Sequence, residues 1–410
     1  MGDRVIAGLS TAKLARIDSH LQEKYVDTGK IAGALTLVAR QGEVAHFSGI
    51  GLMDAERGKA MKDDTIFRIY SMSKAITSVA LMQLYEAGRF QLDDPAHKYI
   101  PEWENLGVWV SGSHPAWVTK RPDRPMTIRD LLSHQSGLTY GFMFRNSVDA
   151  AYRQLEVMST ATLGFPATTL AENIKKMAEI PLLFSPGTAW NYSVSTDVCG
   201  YLVEVISGLS FDEYLRRNVW GPLGMVDTGF FVPGEKIERF AACYSPTPTG
   251  GRVLQDDPQV SPYRKNPVLF SGGGGMVSTA RDYRRFVQMM CNGGELDGAR
   301  ILSRKTIDLM RMNNLPGGVD LMSAAHSAGF SEATMNGTGF GLGFSVLLDQ
   351  AKAQISGSPG QFAWGGAAST AFWIDPVEKL VLVFMTQLLP SSTYNFRREL
   401  QVLINSAYVD

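Results

Sequence analysis

A serine and a lysine three residues apart, within Ile69-Tyr70-Ser71-Met72-Ser73-Lys74-Ala75-Ile76-Thr77, are the side chains of this sequence best suited to start covalent chemistry. A short apolar run delivers Ser71 to what reads as the first turn of a helix, and helical spacing puts Lys74 on the same face. An amine held neutral there can accept the serine proton, which a hydroxyl needs to lose in order to act as a nucleophile. The unpaired N–H groups and positive dipole end of a helix start favour negative charge near Ser71 and disfavour the charged form of a nearby lysine. The pattern is not unique. Ser10-Thr11-Ala12-Lys13 repeats it near the chain start, with nothing around it that suggests a site. For Ser71 taken alone, the alternative is a helix-capping serine with a surface lysine one turn later.

The elements that must position these residues belong to a chain of 410 residues, long enough for two or three domains, with 45% hydrophobic and 19% charged residues, as in an ordinary globular enzyme. A formal net charge of −1 without long runs of one sign argues against nucleic acid or an anionic membrane as the main partner, leaving small-molecule chemistry. Cys199, Cys243 and Cys291 are odd in number, widely spaced and without a C-x-x-C pair, so neither a disulfide framework nor a zinc site is expected. His46, His97, His114 and His134 show no metal-ligand spacing, and no metal or cofactor is expected. Residues 1–9 lack a basic region followed by an apolar secretory core, and nothing approaches the ~18 apolar residues of a membrane span, so the expected location is the cytoplasm.

Along the chain, 10–30 reads as an amphipathic helix, with Leu14, Ile17, Leu21 and Tyr25 at helical spacing and Gly29 near its end. A β-hairpin follows over 32–40 and 43–50, turning at Gln41-Gly42. The Ser71 helix carries Ile76, Val79, Ala80, Leu84 and Tyr85 inward and is closed by Gly88. From Leu92 onward the character changes to helices (127–133, 148–158, 171–178, 195–207 and 211–219) and long loops, without an obvious strand alternation over 103–125. The run Ser271-Gly272-Gly273-Gly274-Gly275 lacks the endings of a phosphate loop or dinucleotide fold and reads as close backbone packing. A helix then starts at 278–282 and ends near 292–294, and β pattern returns over 341–348, 361–373 and 380–386 before a closing helix over 395–408. The expected fold is an α+β sheet flanked by helices, with domains dividing as 1–90 and 271–410 for the α/β part and 91–270 for an inserted, mostly helical part.

Ser71-x-x-Lys74, Asn191-Tyr192-Ser193-Val194 and Trp364-Gly365-Gly366-Ala367 together resemble the serine β-lactamase and penicillin-binding-protein superfamily, on its class C side and most closely the family VIII carboxylesterases. The likeness also takes in Leu92-Asp93-Asp94-Pro95, residues 127–134, Phe184-Ser185-Pro186-Gly187, the 271–282 glycine stretch and 339–344, and so covers roughly residues 10 to 390. It implies a β-lactamase/transpeptidase-like fold and a fixed set of roles. Ser71 would form an acyl-enzyme through a tetrahedral oxyanion. Lys74 and Tyr192 would handle its proton, with either one open as the base. A phenol that normally titrates near ~10 can do so only beside a cation such as Lys74 or by sharing a proton with it. The backbone N–H groups of Ser71 and Ala367 would hold the oxyanion.

Two departures from the family pattern bear on substrate. Trp364 stands where the β-lactamases and related peptidases carry the lysine of K-T-G, and Val194 replaces the asparagine of Y-x-N. Both remove polar contacts that an anionic β-lactam would use, so a neutral ester is favoured, with weak β-lactam hydrolysis still open. Trp364, Gly365, Gly366 and Val194, with Tyr140, Phe142 and Phe144, are the candidate substrate-binding residues; the 140–144 aromatics could equally be core. The expected activity is a serine carboxylesterase on small ester substrates. An acyltransferase, a D-amino-acid peptidase and a catalytically silent scaffold are the alternatives. The nearest approach to the G-x-S-x-G of other esterases, Ala325-His326-Ser327-Ala328-Gly329, lacks the first glycine and the strand-turn-helix setting of a nucleophile elbow.

Overall fold

The structure, a computed structural model, describes residues 3–158, 168–326 and 335–410. The Ser327-Ala328-Gly329 part of the discarded elbow motif lies outside them. The chain builds one eight-stranded antiparallel sheet from its two ends. In chain order its strands are β1 (Gly33–Arg40), β2 (Glu43–Asp54), β3 (Lys59–Ala60), β4 (Thr338–Phe340), β5 (Ser345–Leu347), β6 (Phe362–Gly365), β7 (Ala371–Asp375) and β8 (Leu380–Met385). Their spatial order is β4-β5-β6-β7-β8-β1-β2-β3. The ends of the chain are stitched together at the centre, where Leu382 lies opposite Val38 and Phe384 opposite Thr36. Every residue of β1 is buried, because both faces of the sheet are covered. A strand in that position reads as a continuous apolar run.

Alternate residues of the central strands feed two cores. On one face, Val38, Leu382 and Phe384 meet Leu14, Ile17 and Leu21 of the N-terminal helical stretch and Leu400 and Ile404 of the closing helix Phe396–Asn405. On the other, Leu35, Leu37, Val381 and Val383 meet Ile76 and Val79 of the helix α1 (Ser73–Glu86) and Phe286 of Ala280–Cys291. Residues 73 to 82 of α1 are all buried. A helix with no solvent face is a core element, and its other neighbour is α2 (Ser195–Ser207), which begins just after Tyr192.

The differences from expectation have local causes. The 103–125 stretch contains a ribbon, Val108–Ser113 paired with Ala116–Lys120, and a second ribbon pairs Cys243–Pro246 with Arg252–Asp256. In the first, a register shift between Trp109 and Ser111 and a mostly exposed face erase the alternation a reader would look for. The 10–30 helix is broken into Thr11–Leu14, Arg16–Leu21 and a π turn over Gln22–Val26. The 148–158 helix stops at Gln154. The strand expected over 361–373 is split into β6 and β7 by a tight turn in which the Gly366 N–H reaches the Thr370 carbonyl at 2.9 Å. Among the described residues, no helix is long and apolar enough to cross a membrane.

Candidate active site

Ser71 does not cap its helix. It sits in a 3-10 turn, Tyr70–Met72, that leads from the strand Ile66–Arg68 into α1, and Met72 occupies the cap position without a side-chain cap bond. Tyr70 holds a left-handed φ of +41°, an expensive conformation for a bulky residue that the surrounding packing must impose. Ser10 is the ordinary alternative made visible, since its Oγ accepts the Lys13 N–H at 3.1 Å and caps Thr11–Leu14.

The three residues expected to share the chemistry come together from distant segments. The Tyr192 hydroxyl donates to Ser71 Oγ at 2.7 Å, and Lys74 Nζ approaches the same oxygen at 3.4 Å. Lys74 is fully buried, and its Nζ also donates to the Gly273 carbonyl at 2.6 Å and to the Tyr140 hydroxyl at 2.9 Å. Lys74 Nζ lies 4.6 Å from the centre of the Tyr192 ring. Burial, then the nearby Tyr192 and Asp197, hold the Tyr140 phenol well above its ordinary value, so Tyr140 stays protonated at neutral pH. His134 packs against Tyr192 with ring centroids 5.0 Å apart; burial, then Lys74, push it well below the usual imidazole range, so it stays neutral.

The glycine run 271–275 supplies the close packing expected of it. Thr77 of α1 donates to the Gly272 carbonyl at 2.8 Å, and the Met276 N–H donates to Ser73 Oγ at 3.2 Å. A Cβ on Gly272 would press on the Thr196 carbonyl at 2.8 Å, so the run is a wedge between α1 and α2 that only glycine can form. On the other side of Ser71, a Cβ on Gly366 would collide with the Ile69 carbonyl, which brings the 366–370 turn directly against the turn that carries Ser71. Arg397 Nη2 pins that turn from behind by donating to the Gly366 and Thr370 carbonyls, at 3.3 and 3.1 Å. A Cβ on Gly365 would collide with this guanidinium. Among the described residues, neither the Ser71 nor the Ala367 N–H is taken up by a backbone carbonyl.

The remaining candidates fall in different places. Trp364 and Val194 are each 1% exposed. The indole packs on Tyr192 and Phe340 with centroids at 5.5 and 5.2 Å, backing the phenol rather than opening as a wall. Val194 is closed into the main core at the start of α2, which removes it from the apolar wall expected for an ester. Phe142 and Phe144 are on the surface, 44% and 70% exposed, not in a core. Phe142 stacks on Tyr140 at 4.6 Å, and Phe144 lies under the Arg153 guanidinium at 4.1 Å. Two contacts of the site escaped the sequence reading. Tyr140 was expected as pocket lining or core, but it bonds the lysine; Asp197, a lone carboxylate at the head of an apolar helix, is buried beside the glycine wedge.

The Beta-lactamase family model matches residues 19–405. Protein Rv1367c of Mycobacterium tuberculosis is 34% identical over 367 residues, covering 89% of this chain and 88% of its own length. Esterase EstB of Burkholderia gladioli is 30% identical over 400 residues, covering 94% and 93%. Among solved structures, EstCE1, a hydrolase with promiscuous acyltransferase activity, matches with a TM-score of 0.81 at 26% identity over 97% of this chain and 99% of its own. Simvastatin synthase (LovD) of Aspergillus terreus shares the fold, with a TM-score of 0.79 at 21% identity over 97% of this chain and 98% of its own. A family model that spans nearly the whole chain, and relatives at 30% identity or more that align over at least 88% of both chains, establish that the chain belongs to the Beta-lactamase family and carries the β-lactamase/transpeptidase-like fold.

Proposed function

We propose that this protein is a serine carboxylesterase that cleaves short-chain carboxylic esters through an acyl-enzyme on Ser71. The observation that carries the reading is the meeting of the Tyr192 hydroxyl and the Lys74 amine on Ser71 Oγ, at 2.7 and 3.4 Å. In the first half-reaction Oγ bonds to the ester carbonyl carbon while its proton passes into the Tyr192–Lys74 pair. The Ser71 and Ala367 N–H groups receive the oxyanion, each such donor being worth about 3–4 kcal/mol in comparable sites. The C–O bond then breaks, and the departing alkoxide takes the proton held by the pair. Water repeats the sequence on the acyl-enzyme and releases the acid. The positive end of α1 favours the anionic intermediate throughout.

The ester preference is supported by the indole of Trp364, which supplies no charge for a substrate carboxylate, and by the likeness to EstB. Phe142, stacked on Tyr140 and open to solvent, is the residue best placed to touch an acyl or alcohol chain. Weak β-lactam hydrolysis is a side activity of the same nucleophile. A second reading, acyl transfer to an alcohol that outcompetes water, is favoured by the likeness to EstCE1. The test is intact mass and chromophore release after brief mixing with p-nitrophenyl butyrate, with and without an added alcohol. The expected result is an acyl adduct on Ser71 and turnover that disappears in Ser71→Ala; equal turnover in that variant would sink the mechanism. A new ester in the presence of the alcohol marks the transferase.

A further inference from the structure

The sheet face that meets the closing helix is filled at one end and open at the other. Where β1 and β8 present Val38, Leu382 and Phe384, the N-terminal helical stretch and the closing helix pack tightly on them. On β5, β6 and β7 the same face carries the small side chains of Ser345, Ala363 and Ala371, with Ser345 opposite Ala363. Side chains of this size do not fill the space, and a cleft of about 480 Å³ remains between the sheet, the 391–395 segment and the start of the closing helix. That volume is in the range of small-molecule sites. Ala363, Ala371, Trp373 and Phe396 all belong to the core on the side away from α1, so the cleft is separated from Ser71 by the sheet.

Two guanidinium groups stand in its wall. Arg397 Nη2 donates to the Gly366 and Thr370 carbonyls, at 3.3 and 3.1 Å, and Arg398 Nη2 to the Ala353 and Gln354 carbonyls, at 3.4 and 2.8 Å. These bonds hold both groups in place, but carbonyls carry no net charge and leave the two positive charges standing. Among the described residues that line the cleft, none is Asp or Glu. Trp373 and Phe396 add aromatic surface beside the arginines. A guanidinium fork matches the flat, two-oxygen head of a carboxylate. Ordered cations next to an aromatic wall therefore suit a ligand that brings a carboxylate on an apolar body.

We infer that this cleft is a binding site for an organic carboxylate, its head on Arg397 and Arg398 and its apolar body over Trp373 and Phe396. The site is distinct from the one at Ser71, and the inference stands whatever chemistry Ser71 performs. Because Arg397 also holds the 366–370 turn, the bound head lies directly behind the strand that leads from Trp364 to that turn.

The test is calorimetric titration of the full chain with sodium octanoate at low ionic strength. The expected result is one octanoate per chain, bound at least about tenfold more weakly by Arg398→Gln, which removes a charge, and by Ala363→Leu, which fills the floor. Neither position faces Ser71, so loss in these variants assigns the binding to this cleft. 1-Octanol, the same body without the charge, should bind at least about tenfold more weakly than octanoate. No binding, equal binding of the alcohol, or binding unchanged in a folded variant overturns the proposal. Melting temperatures identify a variant that does not fold, and the other then decides. Butyrate in place of octanoate distinguishes the sources of the ligand: binding that the same variants weaken admits the acid released from p-nitrophenyl butyrate, and its absence beside bound octanoate restricts the site to longer acids.

Discussion

Replacing Tyr192 by phenylalanine removes one oxygen from the centre of the site and little else. The hydroxyl lies 2.7 Å from Ser71 Oγ, and its loss leaves that oxygen with Lys74 Nζ at 3.4 Å as a donor. The ring keeps its neighbours: His134 at 5.0 Å, Tyr140 at 5.4 Å and Trp364 at 5.5 Å between centroids. One net hydrogen bond is worth about 0.5–1.5 kcal/mol, so the melting temperature should fall only slightly. Turnover should behave differently. A side chain that carries the proton in the rate-limiting step contributes roughly 10²–10⁴-fold, so kcat/KM on p-nitrophenyl butyrate should fall by at least about a hundredfold. Because substrate meets the same walls, the loss should appear in kcat more than in KM. A folded Tyr192→Phe protein within about tenfold of the wild type would refute the reasoning, since no residual role of the ring could then be the proton carrier.

Three further outcomes follow from other contacts. Gly366→Ala should lower kcat by about tenfold or more by forcing the 366–370 turn off the Ile69 carbonyl and displacing the Ala367 N–H; an unchanged rate would separate that turn from the oxyanion. His134 is depressed below its unfolded value of 6.5 by burial and Lys74, so the unfolded chain takes up the proton first: stability is full above about pH 6.5 and falls by about 1.4 kcal/mol per unit below it. His134→Asn, which tolerates the observed φ of +55°, should flatten that acid-side slope in melts at several pH values; an identical slope would assign it to other groups. Ser10→Ala should leave esterase activity unchanged while destabilising the protein by about 0.5–2 kcal/mol through the lost cap, and a loss of activity without unfolding would contradict the division between the two Ser-x-x-Lys sequences.

The parts of this fold that can be read from sequence are those in which one local pattern decides the outcome. The β1–β2 hairpin announces itself because Gln41-Gly42 supplies two left-handed residues between β-rich runs, at φ +55° and +85°. Ser71 and Lys74 are legible as a pair because one helical turn brings them together. The Val108–Ser113 ribbon is silent because its register slips and neither face is buried enough to impose alternation. Tyr192 requires a second motif 121 positions away, and nothing in its neighbours announces the partner. Asp197, and the contact of Tyr140 with the lysine, were missed for the same reason: what places them at the site is contact with Gly273 and Lys74, not a spacing of their own.

Glycine is the one residue type here that marks such long-range contacts in the sequence without naming the partner. Gly272 lies against the Thr196 carbonyl, Gly273 against the Asp197 carboxylate and Gly366 against the Ile69 carbonyl. Each is a place where a backbone must come closer than a methyl group permits. All three surround the turn and first helical residues that hold Ser71 and Lys74, so Ser71 is gripped by backbone on both sides. That grip accounts for Tyr70 standing at a φ of +41° just before Ser71: the approaching main chains leave the turn no relaxed alternative. The second Ser-x-x-Lys sequence differs: its neighbouring glycine, Gly8, lies against the ends of the Arg40 and Asp410 side chains rather than against another main chain, and the sequence forms only a helix cap.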